Sequence, residues 1–337
     1  MKKEVNKILI IVIGVFGLWI SLFQGIHLAN AKDPDYPTKP ITLYIQFGAG
    51  GTADIAARGF ADAFGKYVGQ PIIPINKPGA GGTHAAMAVM TAKPDGYTLG
   101  VVAASNAFVA PFSGEAPYKD LTGFTMIGNF GHYTYVLMVR ADAPWKTWKE
   151  FIEWSRKNPR GAKIGNVGAK LSTSLGLITG QVEKREQVEF TNVAFKSNAE
   201  ILTALLGGHV NAYVSPTDAL TIPYIKEGKI RILAYLGTMK LAGYENIPST
   251  QELYGFAIPN LLGIFGPKDL PEYVLKKLDD AFAKAVKDPD FVGVMNRMHM
   301  PIDYMDRGRM SIYVEETFPK VGEIMKMLKE EEAKQKK

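Results

Sequence analysis

Between residues 41 and 103, strand-like and helix-like segments alternate, with glycines at the changes of type. The apolar run Ile41-Thr42-Leu43-Tyr44-Ile45 enters the turn Phe47-Gly48-Ala49-Gly50-Gly51-Thr52, and a helical pattern over 54–68 leaves it. Ala56, Phe60, Ala63, Phe64 and Tyr67 recur there at spacings of three and four, which marks one apolar face. Gly69 stops that helix. A second strand follows over 72–75, and its Pro74 suits a sheet edge. A second glycine turn over 76–82, a short helix over 83–91 and a third strand over 97–103 complete a β-α-β-α-β order, which predicts a parallel sheet with crossover helices.

The pattern then starts again. Residues 135–139 read as a strand, and Thr147-Trp148-Lys149-Glu150 is a capping box for a helix closed by Asn158-Pro159. A strand over 163–167 runs into the polar loop Gly168-Ala169-Lys170-Leu171-Ser172-Thr173-Ser174, followed by a helix over 175–184. Ser197 to Glu200 is a further capping box, with its helix ending at Gly207-Gly208. A strand over 210–214, a helix over 218–227 and a strand over 230–235 follow. Two parallel α/β units in succession predict two lobes with a cleft between them. Ligands of open α/β sheets sit beyond the carboxyl ends of strands, where loops 48–53 and 168–173 lie. Near the C-terminus an apolar segment over 256–265 leads to a helix over 271–287 with Val274, Leu278, Phe282 and Val286 on one face, and the charged tail from Lys329 reads as a solvated, frayed end.

The leader bounds where such a chain works. Lys2, Lys3 and Lys7 precede the apolar run 8–23, and Ala29-Asn30-Ala31 offers a small-residue cleavage site, so 1–31 reads as a secretory signal peptide. The apolar run falls short of the ~20 residues a bilayer needs. The absence of cysteine excludes a lipoprotein anchor, disulfides and thiolate metal sites. Removing 1–31 takes away three Lys and one Glu, so a net charge of +6 becomes +4. With no basic cluster, nucleic acid is a poor partner, and a small acidic ligand fits better.

A glycine turn between strand and helix aims backbone N–H groups at an anion. Gly48-x-Gly50-x-x-Ala53 matches the dinucleotide fingerprint in form, but the second strand ends in Ile75-Asn76-Lys77, where that fold needs an acid. No Gly-Lys-Ser/Thr follows, which excludes a Walker loop. The turn Gly79-Ala80-Gly81-Gly82 is either a second anion loop or, as its glycines favour, a tight connection that would lie off the cleft if the second strand is an edge. The histidines show no i,i+3 or i,i+4 pairing, so no metal site is expected. No G-x-S-x-G is present; Ser174 is a helix cap or a hydroxyl donor to ligand. Asp54 suits its helix N-terminus structurally at least as well as it suits contact with a ligand. Trp145, Trp148 and Trp154 read as packing residues.

Taken together, Tyr36-Pro37-x-Lys39-Pro40-Ile41, Phe47-x-x-Gly50-Gly51-x-x-Asp54-Ile55-x-Ala57-Arg58, the turn Asn76 to Gly82, and Pro94-Asp95-Gly96-Tyr97-Thr98-Leu99 resemble the Bug family, the periplasmic solute-binding proteins of tripartite tricarboxylate transporters. Weaker likeness continues through Leu205-x-Gly207-Gly208 and Asp288-Pro289-Asp290. The resemblance implies an α/β, two-lobed, type II periplasmic-binding-protein-like fold that closes like a Venus flytrap. Lobe 1 would be 32–135 plus 256–337, and lobe 2 would be 136–255, with crossings near 133–140 and 256–265. It also implies a carboxylate pinched between Gly48, Ala49, Gly50, Gly51, Thr52 and Asp54 on one side and Gly168, Ala169, Lys170, Thr173 and Ser174 on the other. Ser105 and Asn106 would add a donor, and Ser215 stands where many members carry an acid. Departures include Ala49 for proline, Thr52 for the third glycine, and Lys170 in a loop that is usually small; Lys170 is either a partner for a second anionic group or a solvated loop lysine.

The expected function is capture of a small organic carboxylate in the periplasm and its delivery to membrane permease subunits. The protein would be a monomer, without cofactor and without catalysis. The alternatives are a ligand-sensing subunit for a membrane kinase and a secreted hydrolase.

Overall fold

The computed structural model describes residues 35–79, 82–103, 105–114, 116–167, 174–195, 197–257 and 261–335. The expected leader lies outside them. The chain divides into two compact units, Met1–Tyr36, almost wholly outside the described residues, and Pro37–Lys337, which holds the strands and helices of the described residues.

The apolar segments condense into two five-stranded sheets of matching topology. The first joins β1 (Ile41–Ile45), β2 (Ile72–Asn76), β3 (Thr98–Ala103), β4 (Phe124–His132) and β10 (Leu261–Pro267) in the order β2-β1-β3-β10-β4. The second joins β5 (Tyr135–Arg140), β6 (Ala162–Val167), β7 (Phe190–Phe195), β8 (Ala212–Pro216) and β9 (Ile230–Tyr235) in the order β7-β6-β8-β5-β9. Thus β6 occupies in the second sheet the place of β1 in the first, and β8 that of β3. Pro74 does lie on an edge strand, where its missing N–H costs no ladder bond.

Two wholly parallel units were expected, and both sheets are mixed. β1, β2 and β3 are parallel, but β10 runs antiparallel to β3 and β4, and β5 antiparallel to β8 and β9. The reversed strand is in each case the one that arrives from the other sheet. Only Tyr133 and Thr134 separate β4 from β5, so the chain enters the second sheet directly. There Thr217 N–H donates to Thr134 O (2.9 Å) and Leu236 N–H to Tyr135 O (2.9 Å).

Helix α1 (Thr52–Val68) ends at Gly69, whose φ of 93° is left-handed. Its buried face presents Phe60 to Phe130 of β4, stacked at 4.5 Å, and to Phe282 at 4.7 Å and Phe291 at 5.4 Å from α9 (Glu272–Ala285) and α10 (Pro289–Arg297). Tyr67 departs from the expected stripe: it is partly exposed and donates its hydroxyl to Asp288 (3.1 Å). Helix α2 (Thr83–Met90) covers β3, which is followed by a π-type turn over Ser105–Val109 and the short α3 (Ala110–Ser113). In the second half, the Thr147/Glu150 capping box opens α4 (Trp148–Lys157) as expected, and α5 (Ser174–Glu186) and α6 (Asn198–Leu206) flank the sheet. Trp145 and Trp148 are buried, and Trp145 packs on Trp154 at 4.6 Å. The helix expected over 218–227 shrinks to α7 (Ile222–Lys226), because the Asp218 carboxylate takes the N–H groups of Leu220 and Thr221 into a turn. α8 (Thr250–Tyr254) has its own capping box at Ser249 and Glu252.

One hydrophobic cluster reaches both halves. It contains Ala86, Val102, Phe108 and Phe265 as well as Leu137, Ile164, Leu177 and Val214. The long α11 (Arg307–Gln335) runs along it. Met310 approaches Gly263 of β10, while Leu328 packs over Gly180 of α5, where an added Cβ would come within 3.0 Å. The tail expected to fray is helical through Gln335, and Lys329 Nζ donates to Phe112 O (2.6 Å).

Candidate ligand site at the strand ends

β1 delivers the chain to a turn that the sequence could not close without glycine. Gly50 sits at φ 79°, a left-handed conformation costly for other residues. Gly51, extended at φ −78° and ψ 165°, is the N-cap of α1 and supplies no side-chain cap. The first intrahelical bond is Ile55 N–H to Gly51 O (3.0 Å). The N–H groups of Thr52, Ala53 and Asp54 therefore have no partner within the helix. With the dipole of a 17-residue helix behind them, they form an anion-attracting end.

A carboxylate in the first turn would oppose an anionic ligand, but Asp54 is neutralised in place. It is 3% exposed. Its Oδ2 accepts from Gly50 N–H (2.9 Å), and its Oδ1 from Arg58 Nε (2.9 Å) and Asn76 Nδ2 (2.8 Å). Asn76 Nδ2 also donates to Phe47 O (2.9 Å), and Asn76 Oδ1 accepts from Arg58 Nη2 (2.6 Å). Asn76 is the residue that stands where a dinucleotide fold needs its acid. Here it ties the end of β2 to both sides of the glycine turn, so the turn's shape is held by charge-assisted bonds. Both Asp54 oxygens, and the Gly50 N–H, are committed within the turn.

The matching loop of the second half, with Gly168, Ala169, Lys170 and Thr173, lies outside the described residues. So does the side-chain detail of Ser105 and Asn106, whose backbone opens the π-type turn after β3. Such turns recur at functional sites. Ser174 opens α5; it is 2% exposed, and its Oγ has no hydrogen-bond partner among the described residues. Ser215 on β8 is fully buried, and neither its Oγ nor Thr217 Oγ1 beyond it has a hydrogen-bond partner among the described residues. Tyr213 lies on the same face of β8 as Ser215. Burial pushes its phenol well up and the nearby Ser215 moderates this, yet neither hydroxyl makes a bond of normal geometry. Asp218 follows; burial raises its carboxyl above the usual range against the opposing pull of the Thr221 and Leu220 N–H groups.

Two side chains escaped the sequence reading. Gln46 directly follows β1 and is 2% exposed, with Nε2 unpartnered among the described residues. Asn166, in the corresponding part of β6, is 1% exposed; it pairs through one amide atom with Asn192 (2.6 Å) and leaves the other unpartnered. The signal was available: each is a carboxamide in an apolar strand, two residues before the first glycine of its loop.

A groove of about 720 Å³ between residues 120–126 and the start of α11 competes for attention on size. Its guanidinium, Arg307, is already paired with Asp279 (3.0 Å) and Glu272 (3.3 Å), which leaves it a poor anion site. Among the described residues no cluster of His, Asp and Glu could hold a metal ion, and no helix is long and apolar enough to cross a membrane.

Comparison with known proteins bears on this geometry. Residues 56–329 match the family described as tripartite tricarboxylate transporter family receptor. A UPF0065 protein from the gbd 5′ region of Cupriavidus necator is 34% identical over 301 residues, 89% of this chain and 90% of that one. Among solved structures, a TctC solute-binding protein from Polaromonas superposes with a TM-score of 0.74 at 27% identity, covering 87% of this chain and all of that one. MatC from Rhodopseudomonas palustris, solved with bound malate, shares the fold at 24% identity and a TM-score of 0.74, covering 86% of this chain and all of that one.

Proposed function

The chain belongs to the receptor family of tripartite tricarboxylate transporters, and we propose that it captures a small organic carboxylate at the uncapped N-terminus of α1 for delivery to the membrane permease of such a transporter. The observation that carries this reading is the glycine turn at 48–52. It offers N–H groups at a helix end while the one nearby acid is cancelled by Arg58 and Asn76. The binding of malate by MatC, a protein of the same fold, supports the same class of ligand.

In this reading 1–31 is removed on export and the mature chain works as a monomer in the periplasm. Residues 32–135 with 256–337 form one lobe and 136–255 the other. The second half of the grip is the loop with Gly168, Ala169, Lys170, Thr173 and Ser174, helped by Ser105, Asn106 and Ser215. Ligand stabilises the closed arrangement, and the permease recognises that form. No side chain is assigned a bond-making role, so turnover is not expected.

A melting-temperature screen tests the proposal with paired compounds, each acid against its primary amide. An acid that binds raises the melting point in proportion to the logarithm of its concentration above its dissociation constant, while its amide does not. Equal shifts by acids and amides would overturn the carboxylate assignment.

A further inference from the structure

We propose that Gln46 is a specificity-determining residue that donates a hydrogen bond to a second, uncharged oxygen of the ligand, a hydroxyl or keto group near the gripped carboxylate. This rests on the carboxylate reading above.

Position comes first. Along β1, Thr42, Tyr44 and Gln46 share one face by the two-residue period of a strand. Tyr44 packs against the hydrophobic cluster that reaches both halves, on the face where its register partner Gly100 meets Val89 of α2. Along β6, Ala162, Ile164 and Asn166 share a face in the same way, and Ala162 and Ile164 belong to that same cluster. The topological equivalence of β1 and β6 thus brings two buried carboxamides to corresponding strand ends.

Chemistry comes second. Buried side-chain amides are almost always paired, and each exception calls for an explanation. Gln46 Nε2 is a donor without a partner among the described residues, two residues from a turn built to hold an anion. The Gln46 amide is itself a neutral donor, and no Lys or Arg is found among the buried described residues. A second carboxylate placed there would lose its hydration without gaining a counter-charge from it. A hydroxyl or keto oxygen loses far less and satisfies the amide. A site built to hydrogen-bond a substrate oxygen rejects the analogue lacking it much more strongly than an apolar pocket rejects a missing methylene.

Calorimetric titration of the full-length mature chain tests this with acids that differ by one group: lactate against propionate, 2-oxobutyrate against butyrate, and malate against succinate. Wild type should prefer the oxygenated member of at least one pair by tenfold or more. Gln46→Met, which keeps the side-chain length without the amide, should reduce that preference to within twofold. In the absence of ligand it should melt no lower than wild type, because the donor it removes is buried and has no partner among the described residues. Gln46→Leu, uncharged and without the donor, should also lose the preference and covers the case that Gln46→Met does not fold. A preference retained in both variants, or absent from a wild type that binds the acids, overturns the assignment of Gln46. Equal loss of both members of a pair together with a lowered melting point also overturns it, by showing a purely structural role. A wild type that binds none of the acids fails at the earlier step and overturns the carboxylate reading instead.

Discussion

The two halves of the molecule share one strand order and differ in how they hold their loops. In the first half the glycine turn is fixed by an ionic lattice of Asp54, Arg58 and Asn76, and α1 is anchored by the rings of Phe60, Phe64, Phe130, Phe282 and Phe291. In the second half the strand ends carry Asn166, Ser215 and Thr217, neutral polar groups with unpartnered atoms, beside the buried Asp218. A preformed, neutralised cradle suits a group common to every ligand. An under-satisfied polar wall suits the groups that differ. In the proposed reading the first half supplies the preformed side of the grip, and discrimination falls to the unpartnered polar groups, Gln46 among them.

This contrast can be broken at several points. Phe60→Ala removes the centre of the aromatic cluster and should cost about 4 kcal/mol in denaturant unfolding. Tyr213→Phe, which deletes a buried hydroxyl of the second half, should stay within about 1 kcal/mol of wild type. Comparable losses from the two would erase the difference in packing. Asp54→Ala leaves Arg58, Asn76 and Gly50 N–H without their acceptor and should cost about 3 kcal/mol. It should also weaken ligand binding in titration, because the turn loses its shape. A stable variant with unchanged affinity would remove Asp54 from the cradle.

The smallest effect concerns pH. Burial raises the Asp218 carboxyl, so between the ordinary carboxylate range and the raised value the folded chain keeps a proton that the unfolded chain releases. Asp218 therefore makes stability fall as pH rises through that window. Asp218→Asn keeps an acceptor for the Leu220 and Thr221 N–H groups and should abolish that part of the slope in urea melts taken from pH 4 to 7. An unchanged slope would show that other groups set it.

Much of this fold was legible in local pattern. The run 41–45, the stop at Gly69, the Thr147/Glu150 box and the strand over 230–235 all rest on short-range signals, and all are present. What was missed depends on distant partners. β4 reads poorly because Gly128 and Gly131 interrupt its apolar residues; an added Cβ at Gly128 would meet Phe282 and the backbone of Met305 within 3.0 Å, so the gap serves packing. β7 alternates too weakly to be recognised alone and is defined by its register with β6. The antiparallel entry of β5 and β10 depends on which sheet the chain has just left, and no periodicity encodes that. At the site, the glycine turn was plain, whereas Gln46 and Asn166 looked like ordinary strand ends until burial showed an unpartnered atom in each.

Gly51→Asp tests the central claim most directly. The position has ordinary extended backbone angles, and among the described residues an added Cβ would meet Gly48 O alone, at 3.5 Å, so a side chain fits. As an N-cap, aspartate can accept from the free N–H groups of α1 and is worth a few tenths of a kcal/mol over glycine. It would thus place a carboxylate of the protein's own where the ligand's is expected. The predicted result is a melting point at or slightly above that of wild type, with affinity for the carboxylate ligand reduced at least about a hundredfold, roughly 2.7 kcal/mol. Near-native affinity in this folded variant would contradict the account.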